Sequence, residues 1–592
     1  MKNKKLPFIV LIITVLYSCN SYRIDNPGIT SDELEDHITY LASGELEGRL
    51  PGTKGDSMSA SYIRDNLESW GLQPLSGNGI QEFDIVKTVK AGDGNRLMIN
   101  NKQVDRDKFM PMAFSEDTTV SGEIVFAGYG FSISSDTLRW NDYKNLDVSN
   151  KWVMLLRADP EVDNQSSKFA QVSNDRNKAM LAKDMGAAGV LLVSGYNFDP
   201  EDEFEKMSGG EYSTGIPVFR INREVADMIL SHEKTTVREA EKKLNSTYSP
   251  LSFEIPLKVE GHSDIYEEKV TTGNVAMVLQ GNDPVLKEEY IIIGGHFDHL
   301  GMGGQGTSSR APDTTAVHYG ADDNASGIAA MLEIAEKFAG EESNARSIIF
   351  AGFAAEEMGL LGSKYFADNM TIETGRINAM INLDMIGRLK DNNTLQVSGT
   401  GTAESLEEII KSHNDTSVLR LALSEEGYGP SDHSSFYGKD IPVLFFSTGA
   451  HLDYHTPFDT PGKINYEGLL RITDFIYDIS GELANQDSML VFTEAGPKTR
   501  MNRGMRRKGV TLGIMPDFAG NVKNGLRADF VIPGRPAENG GMKKGDIITA
   551  INGKEINNIE DYMYRLSKLE HGQTIQVEIL RGEDKELLLI AL

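Results

Sequence analysis

The sequence predicts a multidomain α/β protein whose main unit is a mostly parallel mixed sheet flanked by helices. Three observations predict it. Between about 263 and 488, short apolar strands alternate with helical patterns, as in a sheet built by crossover connections. Several of those strands are continuous apolar runs, the mark of strands covered on both faces. The 592-residue length is too great for one ordinary domain.

The first element is not a fold element. Lys2, Lys4 and Lys5 precede an apolar stretch from Leu6 to Tyr17 that is too short to span a bilayer as a stable helix. Leu16-Tyr17-Ser18-Cys19 then resembles a bacterial lipobox. That resemblance implies a signal peptide over 1–18, lipid on Cys19, and an exported lipoprotein on the periplasmic or cell-surface face of a membrane. No later segment is apolar enough to cross a membrane. Cys19 is the sole cysteine, so an internal disulfide framework is excluded and any zinc site must use nitrogen and oxygen. The 87 acidic against 59 basic residues give a net charge of -28, which argues against nucleic-acid binding.

Residues 19–117 are assigned to a short tether and the N-terminal part of the main unit. Thr30 and Glu33 fit a capping box before Leu34, Ile38 and Leu41 at helical spacing. A second helix is predicted from Asp56 to Trp70, stopped by Gly71. Residues 118–262 change character. Predicted strands at Gly122–Gly130, Lys151–Leu156, Gly186–Val193 and Ile216–Phe219, with a helix from Lys178 to Met185, hold no cluster of catalytic side chains. This β-rich segment resembles the protease-associated domain inserted in several secreted peptidases.

After the main unit, Pro497 to Lys508 is a basic linker. The C-terminal unit, assigned to 497–592, carries Val510-Thr-Leu-Gly-Ile514 and Pro536-Ala-Glu-Asn-Gly-Gly-Met-Lys-Lys-Gly-Asp546. It resembles a bacterial PDZ domain. By that resemblance Leu512, Gly513 and Ile514 form the loop that receives a peptide C-terminus on backbone N–H groups.

The chemistry gathers in 263–488. His296 ends the strand Glu289–Gly295, with Asp298 just beyond. Asp322-Asp323-Asn324 lies before a helix with Ile328, Met331, Leu332, Ala335 and Phe338 on one face. Glu356-Glu357 follows the strand Ser347–Phe353, Asp384 ends Ile377–Leu383, and Tyr454-His455 lies beyond Ile441–Phe446. Singly each is weak: an Asp caps helices, a Glu pair decorates turns, and a lone His is usually structural. In a parallel sheet these strand ends meet at one edge. So many carboxylates together repel one another and lose hydration, and divalent cations resolve that conflict.

The run GGHFDHLG…GADDNASG…AAEEMGLLGS…NLDMIG…YHTPFDT resembles the co-catalytic zinc metallopeptidase family that includes bacterial leucyl aminopeptidases and glutamate carboxypeptidase. The resemblance implies the zinc exopeptidase fold and two zinc ions. Asp323 would bridge them, Glu357 and His455 would complete one, and His296 and Asp384 the other. Glu356 would be the general base, Asp298 would orient His296, and Tyr454 would assist the oxyanion. His318 has no role in that pattern. The implied activity is peptide hydrolysis, with an aminopeptidase favoured over a carboxypeptidase. A one-zinc glutaminyl cyclase-like enzyme and an inactive scaffold are the other readings; the complete set of ligands and base weighs against both. Expected partners are peptide substrates, a C-terminal peptide at the PDZ unit, and a membrane through the lipid.

Overall fold

Runs such as Ile291-Ile292-Ile293 and Ile348-Ile349-Phe350 cannot sit at a surface, and they form the centre of the largest sheet. The computed structural model describes residues 27–592 except 135–137, 163, 165–166, 171, 205–206, 208–211, 305–306, 496–509, 517–523 and 533. The lipobox with Cys19 and the basic linker lie outside the described residues.

The main sheet has nine strands: β1 Gln73–Pro74, β2 Ile80–Ala91, β3 Ile265–Leu279, β4 Tyr290–His296, β5 Ser347–Phe353, β6 Ile377–Leu383, β7 Thr394–Ser398, β8 Arg420–Ser424 and β9 Val443–Ser447. Their order is β1-β3-β5-β4-β6-β9-β7-β8, with β2 also paired to β3. The middle four, β5-β4-β6-β9, run parallel, while β3 and β7 pair antiparallel at the two sides. Every residue of β5 and β6 is buried, as crossover helices on both faces require. The mixed α/β architecture is therefore the one the sequence predicts, with its parallel part confined to the middle four strands and to β7 with β8.

Four helices matter for the site: α1 Ser31–Leu41, α2 Lys54–Ser69, α3 Gly327–Glu341 and α4 Tyr466–Asn485. Thr30 caps the first helix as predicted, although its own N–H donates to Glu333 at 3.4 Å, not to Glu33 as a full capping box would have it. Glu33 N donates to Thr30 Oγ1 at 3.2 Å, and the Thr30 hydroxyl donates to the Glu33 carboxylate at 2.6 Å. Leu34, Ile38 and Leu41 join Ile328, Leu332 and Ala335 of α3 in the main core.

Antiparallel β2 and β3 form a long ribbon that leads to the inserted unit. That unit has its own eight-stranded sheet and aromatic core, with Trp140, Trp152, Phe126 and Phe219 buried. Its sheet also takes in Arg96–Ile99, Lys102–Gln103 and Phe109–Pro111, so it begins ahead of the predicted boundary at 118. These strands are only two to four residues long, too short to show a period, and only their partners show the side they bury: Leu97 and Ile99 lie along Ser252–His262, and Phe109 lies against Phe219.

The C-terminal unit has six strands, a helix over Ile559–Leu566 and a separate core around Leu526, Ile548 and Val577. It is docked on the others. Arg176 of the inserted unit reaches Glu560 at 2.7 Å and Asp561 at 2.8 Å, and Arg565 reaches Asp184 at 2.5 Å. Ile532 packs against a cluster of the main unit. No helix among the described residues is long and apolar enough to cross a membrane.

Candidate metal centre and active site

The C-terminal ends of β4, β5, β6 and β9 carry the site, because parallel strands point their ends the same way. His296 closes β4, and Asp384 follows β6 directly. Glu356 and Glu357 lie three and four residues past β5, and His455 sits in the loop beyond β9. Asp323 enters from the turn Ala321–Ser326 that feeds α3.

These side chains meet in two groups around one carboxylate. Asp323 Oδ1 lies 3.3 Å from His296 Nε2, and His296 Nε2 lies 3.6 Å from Asp384 Oδ1. Asp323 Oδ2 lies 3.3 Å from His455 Nε2, which is 3.0 Å from Glu357 Oε2. Glu356 Oε2 stands 3.9 Å from His296 Nε2. Thus the structure brings together all five residues predicted as ligands, together with Glu356.

Both imidazoles are set for metal through Nε2. His296 Nδ1 is 3.2 Å from the Asp298 carbonyl, and His455 Nδ1 is 3.1 Å from the Ser308 carbonyl. Each carbonyl fixes the proton on Nδ1 and leaves the Nε2 lone pair facing the carboxylates. Asp323 Oδ2, Asp384 Oδ1 and His455 Nε2 are buried without a hydrogen-bond partner. Orphaned acceptors on three neighbouring residues, with two imidazole nitrogens aimed among carboxylates, fit divalent zinc.

Charge in the cluster points the same way. Burial would depress the His296 imidazole, yet the carboxylates of Glu356 and Asp384 hold it well above its ordinary value. Burial likewise opposes ionisation of Asp323, but His296 and His455 hold it well below the usual carboxylate range. Glu356 goes the other way: burial pushes it well above that range despite the pull of His296. Two carboxylates of one cluster driven in opposite directions are a mark of divided roles.

Asp298 lies against His296 Nδ1, the place the resemblance implies for it. Its carboxylate stands 3.6 Å from His296 Nδ1, and it accepts the backbone N–H of Glu356 at 3.0 Å and of Glu357 at 3.3 Å. Its carbonyl orients His296, while its side chain holds the Glu-Glu turn. Tyr454 stacks on His455 with ring centroids 3.8 Å apart and lines the cleft; burial raises its phenol. His318 lies outside the two groups, its Nε2 paired with Ser309 Oγ at 2.8 Å.

Sequence reasoning missed the supports. His299 Nδ1 meets Glu357 Oε1 at 2.8 Å and stands 3.8 Å from Asp323 Oδ2. Asp459 Oδ2 accepts the N–H groups of Asp322 at 2.8 Å and Asp323 at 3.1 Å. Buried Arg49 donates to the carbonyls of Leu41, Phe297, Tyr319 and Gly320, tying the N-terminal segment to the segments just after His296 and just before Asp323. Asp432 is buried near the cluster, and burial pushes it up to about 7. Asp459 and His299 were visible as part of YHTPFDT and HFDHLG, but spacing alone gave them no task.

In the C-terminal unit, Leu512 is buried in the core and Gly513 has a φ of 77°. Gly513 N donates to Thr511 Oγ1 at 3.1 Å, and Ile514 pairs with Val531 in the sheet.

Residues 274–480 match the model of peptidase family M28, and residues 511–592 match the PDZ domain. An aminopeptidase of Pseudomonas aeruginosa strain UCBPP-PA14 is 28% identical over 435 residues, covering 71% of this chain and 69% of that protein. A protein named "Probable zinc metalloprotease" from Pyrenophora teres f. teres is 38% identical over 174 residues, 28% of this chain and 33% of its own length. A "Probable leucine aminopeptidase" from Arthroderma otae is 28% identical over 239 residues, 38% of this chain and 62% of its own. The chain thus spans between a third and just under two thirds of the first of these curated relatives. Among solved structures, a zinc aminopeptidase from Bacillus subtilis is similar at 20% identity and a TM-score of 0.46, covering 79% of this chain and 99% of that one.

Proposed function

We propose that this protein is a di-zinc aminopeptidase of peptidase family M28. The observation that carries the reading is Asp323, whose two oxygens face two separate sets of ligands, His296 with Asp384 and Glu357 with His455. The aminopeptidases among its relatives favour cleavage from the N-terminus.

Zinc held by these five residues would supply Lewis acidity, polarising the scissile carbonyl and lowering the pKa of the attacking water. Glu356 then takes the proton of that water and delivers it to the leaving amine. Glu356 must be ionised to take that proton, and the positive charge of zinc beside it would favour the ionised form. The Tyr454 hydroxyl donates to the oxygen that becomes negative at the tetrahedral stage. Asp298 keeps Glu356 in place through its N–H.

Glu356→Gln tests the division of roles. Turnover of a leucyl anilide should fall by about a thousandfold or more, with zinc content close to two ions per chain by elemental analysis. Loss of zinc along with activity would make Glu356 a ligand and overturn the assignment. One zinc per chain in the unaltered protein would instead favour a glutaminyl cyclase-like enzyme.

Two further parts of the reading rest on sequence. Cys19 would carry lipid and tether an exported protein to a membrane, and Cys19→Ala should abolish fatty-acid labelling. The loop Leu512-Gly513-Ile514 would hold a C-terminal peptide, supported by the PDZ match.

A further inference from the structure

The cleft over the metal centre is not built by the peptidase core alone. A cavity of about 880 Å³ is lined by Glu356, Glu357, Tyr454 and His455 on one side and by Pro516, Arg527, Lys544 and Gly545 of the C-terminal unit on the other. That volume falls within the usual range for a bound small ligand. The far wall is held in position. Arg176 binds Glu560 and Asp561, Arg565 binds Asp184, and Lys544 reaches Asp440 of the peptidase core at 2.7 Å.

The charge of the cavity is unlike that of the chain. The protein carries a net charge of -28. Yet, Glu356 and Glu357 aside, the described lining holds Lys364, Lys439, Arg527 and Lys544 against one carboxylate, Asp368. Lys439 pairs with Asp368 at 2.5 Å and Lys544 with Asp440, Lys364 and Arg527 have partners as well, and all four side chains are partly exposed. Such pairs contribute little and exchange partners readily. Four cations around one cleft, Lys364 and Lys439 on the peptidase core and Arg527 and Lys544 on the C-terminal unit, suit a ligand with one anionic end.

We propose that the C-terminal unit forms the far wall of the substrate cleft, where Arg527 and Lys544, with Lys364 and Lys439, receive the free C-terminal carboxylate of a peptide a few residues long. The inference rests on the aminopeptidase reading, which places the N-terminal residue at the metal centre. It makes the enzyme selective for short peptides by their far end, and gives the C-terminal unit a part in the turnover of those with a free carboxylate.

The test uses the full-length zinc-loaded protein and two substrates, a leucine-led tetrapeptide as free acid and as C-terminal amide. The acid should have the higher kcat/KM by roughly tenfold, carried by KM, as expected for a charge-assisted contact. In the double variant Arg527→Gln, Lys544→Gln the ratio should collapse toward one. Equal rates for acid and amide in the unaltered protein overturn the proposal, and so does an unchanged ratio in the double variant. A variant that fails to fold loses both substrates alike, and Lys439→Gln then supplies the lowered ratio or its absence. If no substrate is cleaved at all, the peptidase reading fails separately. Calorimetric binding of the two peptides to zinc-loaded Glu356→Gln still reads the carboxylate contact, and equal affinities overturn it.

Discussion

His299 shows how a side chain outside the expected ligand set bears on metal retention. It is fully buried, its ring stands 5.9 Å from that of His455, and its Nδ1 meets the oxygen of Glu357 that faces away from His455. Donation there fixes the carboxylate so that its other oxygen is presented to metal. His299→Phe keeps the volume and removes the donor. Zinc affinity on the Glu357 side should fall by about 10–100-fold, read as a drop from two retained ions toward one under chelator competition. Retention of both ions at unaltered affinity would reduce His299 to packing. A second residue-scale prediction concerns Asp142 in the inserted unit. Its carboxylate accepts Phe131 N and Trp140 Nε1, both at 2.9 Å, and burial pushes it up to about 7 from the usual 3.8. The folded protein thus holds this proton more tightly than the unfolded chain does. The stability it contributes is complete below 3.8 and is lost as pH rises through 7. Asp142→Asn should therefore gain in melting temperature relative to the parent on going from pH 5 to pH 8. A difference independent of pH would show that Asp142 ionises as an ordinary carboxylate. Neither side chain announces its task in sequence: strand alternation ends at His296, and nothing periodic tells where His299 turns.

At the scale of elements, β4, β6 and α3 approach one another as closely as backbone permits. A Cβ on Gly295 or on Gly327 would lie 2.3 Å from the Leu383 carbonyl oxygen, one residue before Asp384. Asn324 joins the same three elements. Its amide donates to the carbonyls of His296 at 3.1 Å and Leu383 at 2.9 Å, and its oxygen accepts Gly327 N and Met385 N. Gly327→Ala must shift backbone, at a cost of about 1–3 kcal/mol, and the shift falls on Asp323 and Asp384. The variant should melt lower than the parent and lose most of the stabilisation that added zinc gives. Parent-like melting with and without zinc would show that the contact has slack. The strands here were legible because continuous apolar runs have few alternatives, and their ends fixed which side chains share an edge. Their order was not, since nothing local in Ser347–Phe353 says that it lies between β3 and β4. The strands from Arg96 to Pro111 were missed for a related reason: short segments of mixed polarity acquire a buried side only from distant partners such as Val259 and Phe219.

At the scale of the whole molecule, each of the three units keeps apolar clusters of its own, and the C-terminal unit is coupled to the others by a few ion pairs and by Ile532. Linker composition predicted a C-terminal unit on a tether, and it could not predict docking, because the residues that dock are ordinary charged surface residues in sequence. Arg176 is the main one. Its side chain is 6% exposed, it reaches both Glu560 and Asp561, and the Asp561 side chain is 2% exposed. Removing one partner of a buried pair leaves the other charge without compensation, a loss of about 3–5 kcal/mol. Arg176→Met keeps the length of the stem and removes the charge. The C-terminal unit retains its own core, so the expected result is release rather than unfolding. Calorimetry should resolve a separate transition for that unit, and the preference for a free C-terminal carboxylate should fall because the wall bearing Arg527 and Lys544 is no longer held over the metal centre. Zinc content should stay near that of the parent, since every metal-facing residue lies between His296 and His455. An unsplit melting transition together with an undiminished acid-to-amide ratio would show that Lys544–Asp440 and Arg565–Asp184 suffice to hold the wall, and that Arg176 is dispensable for the cleft.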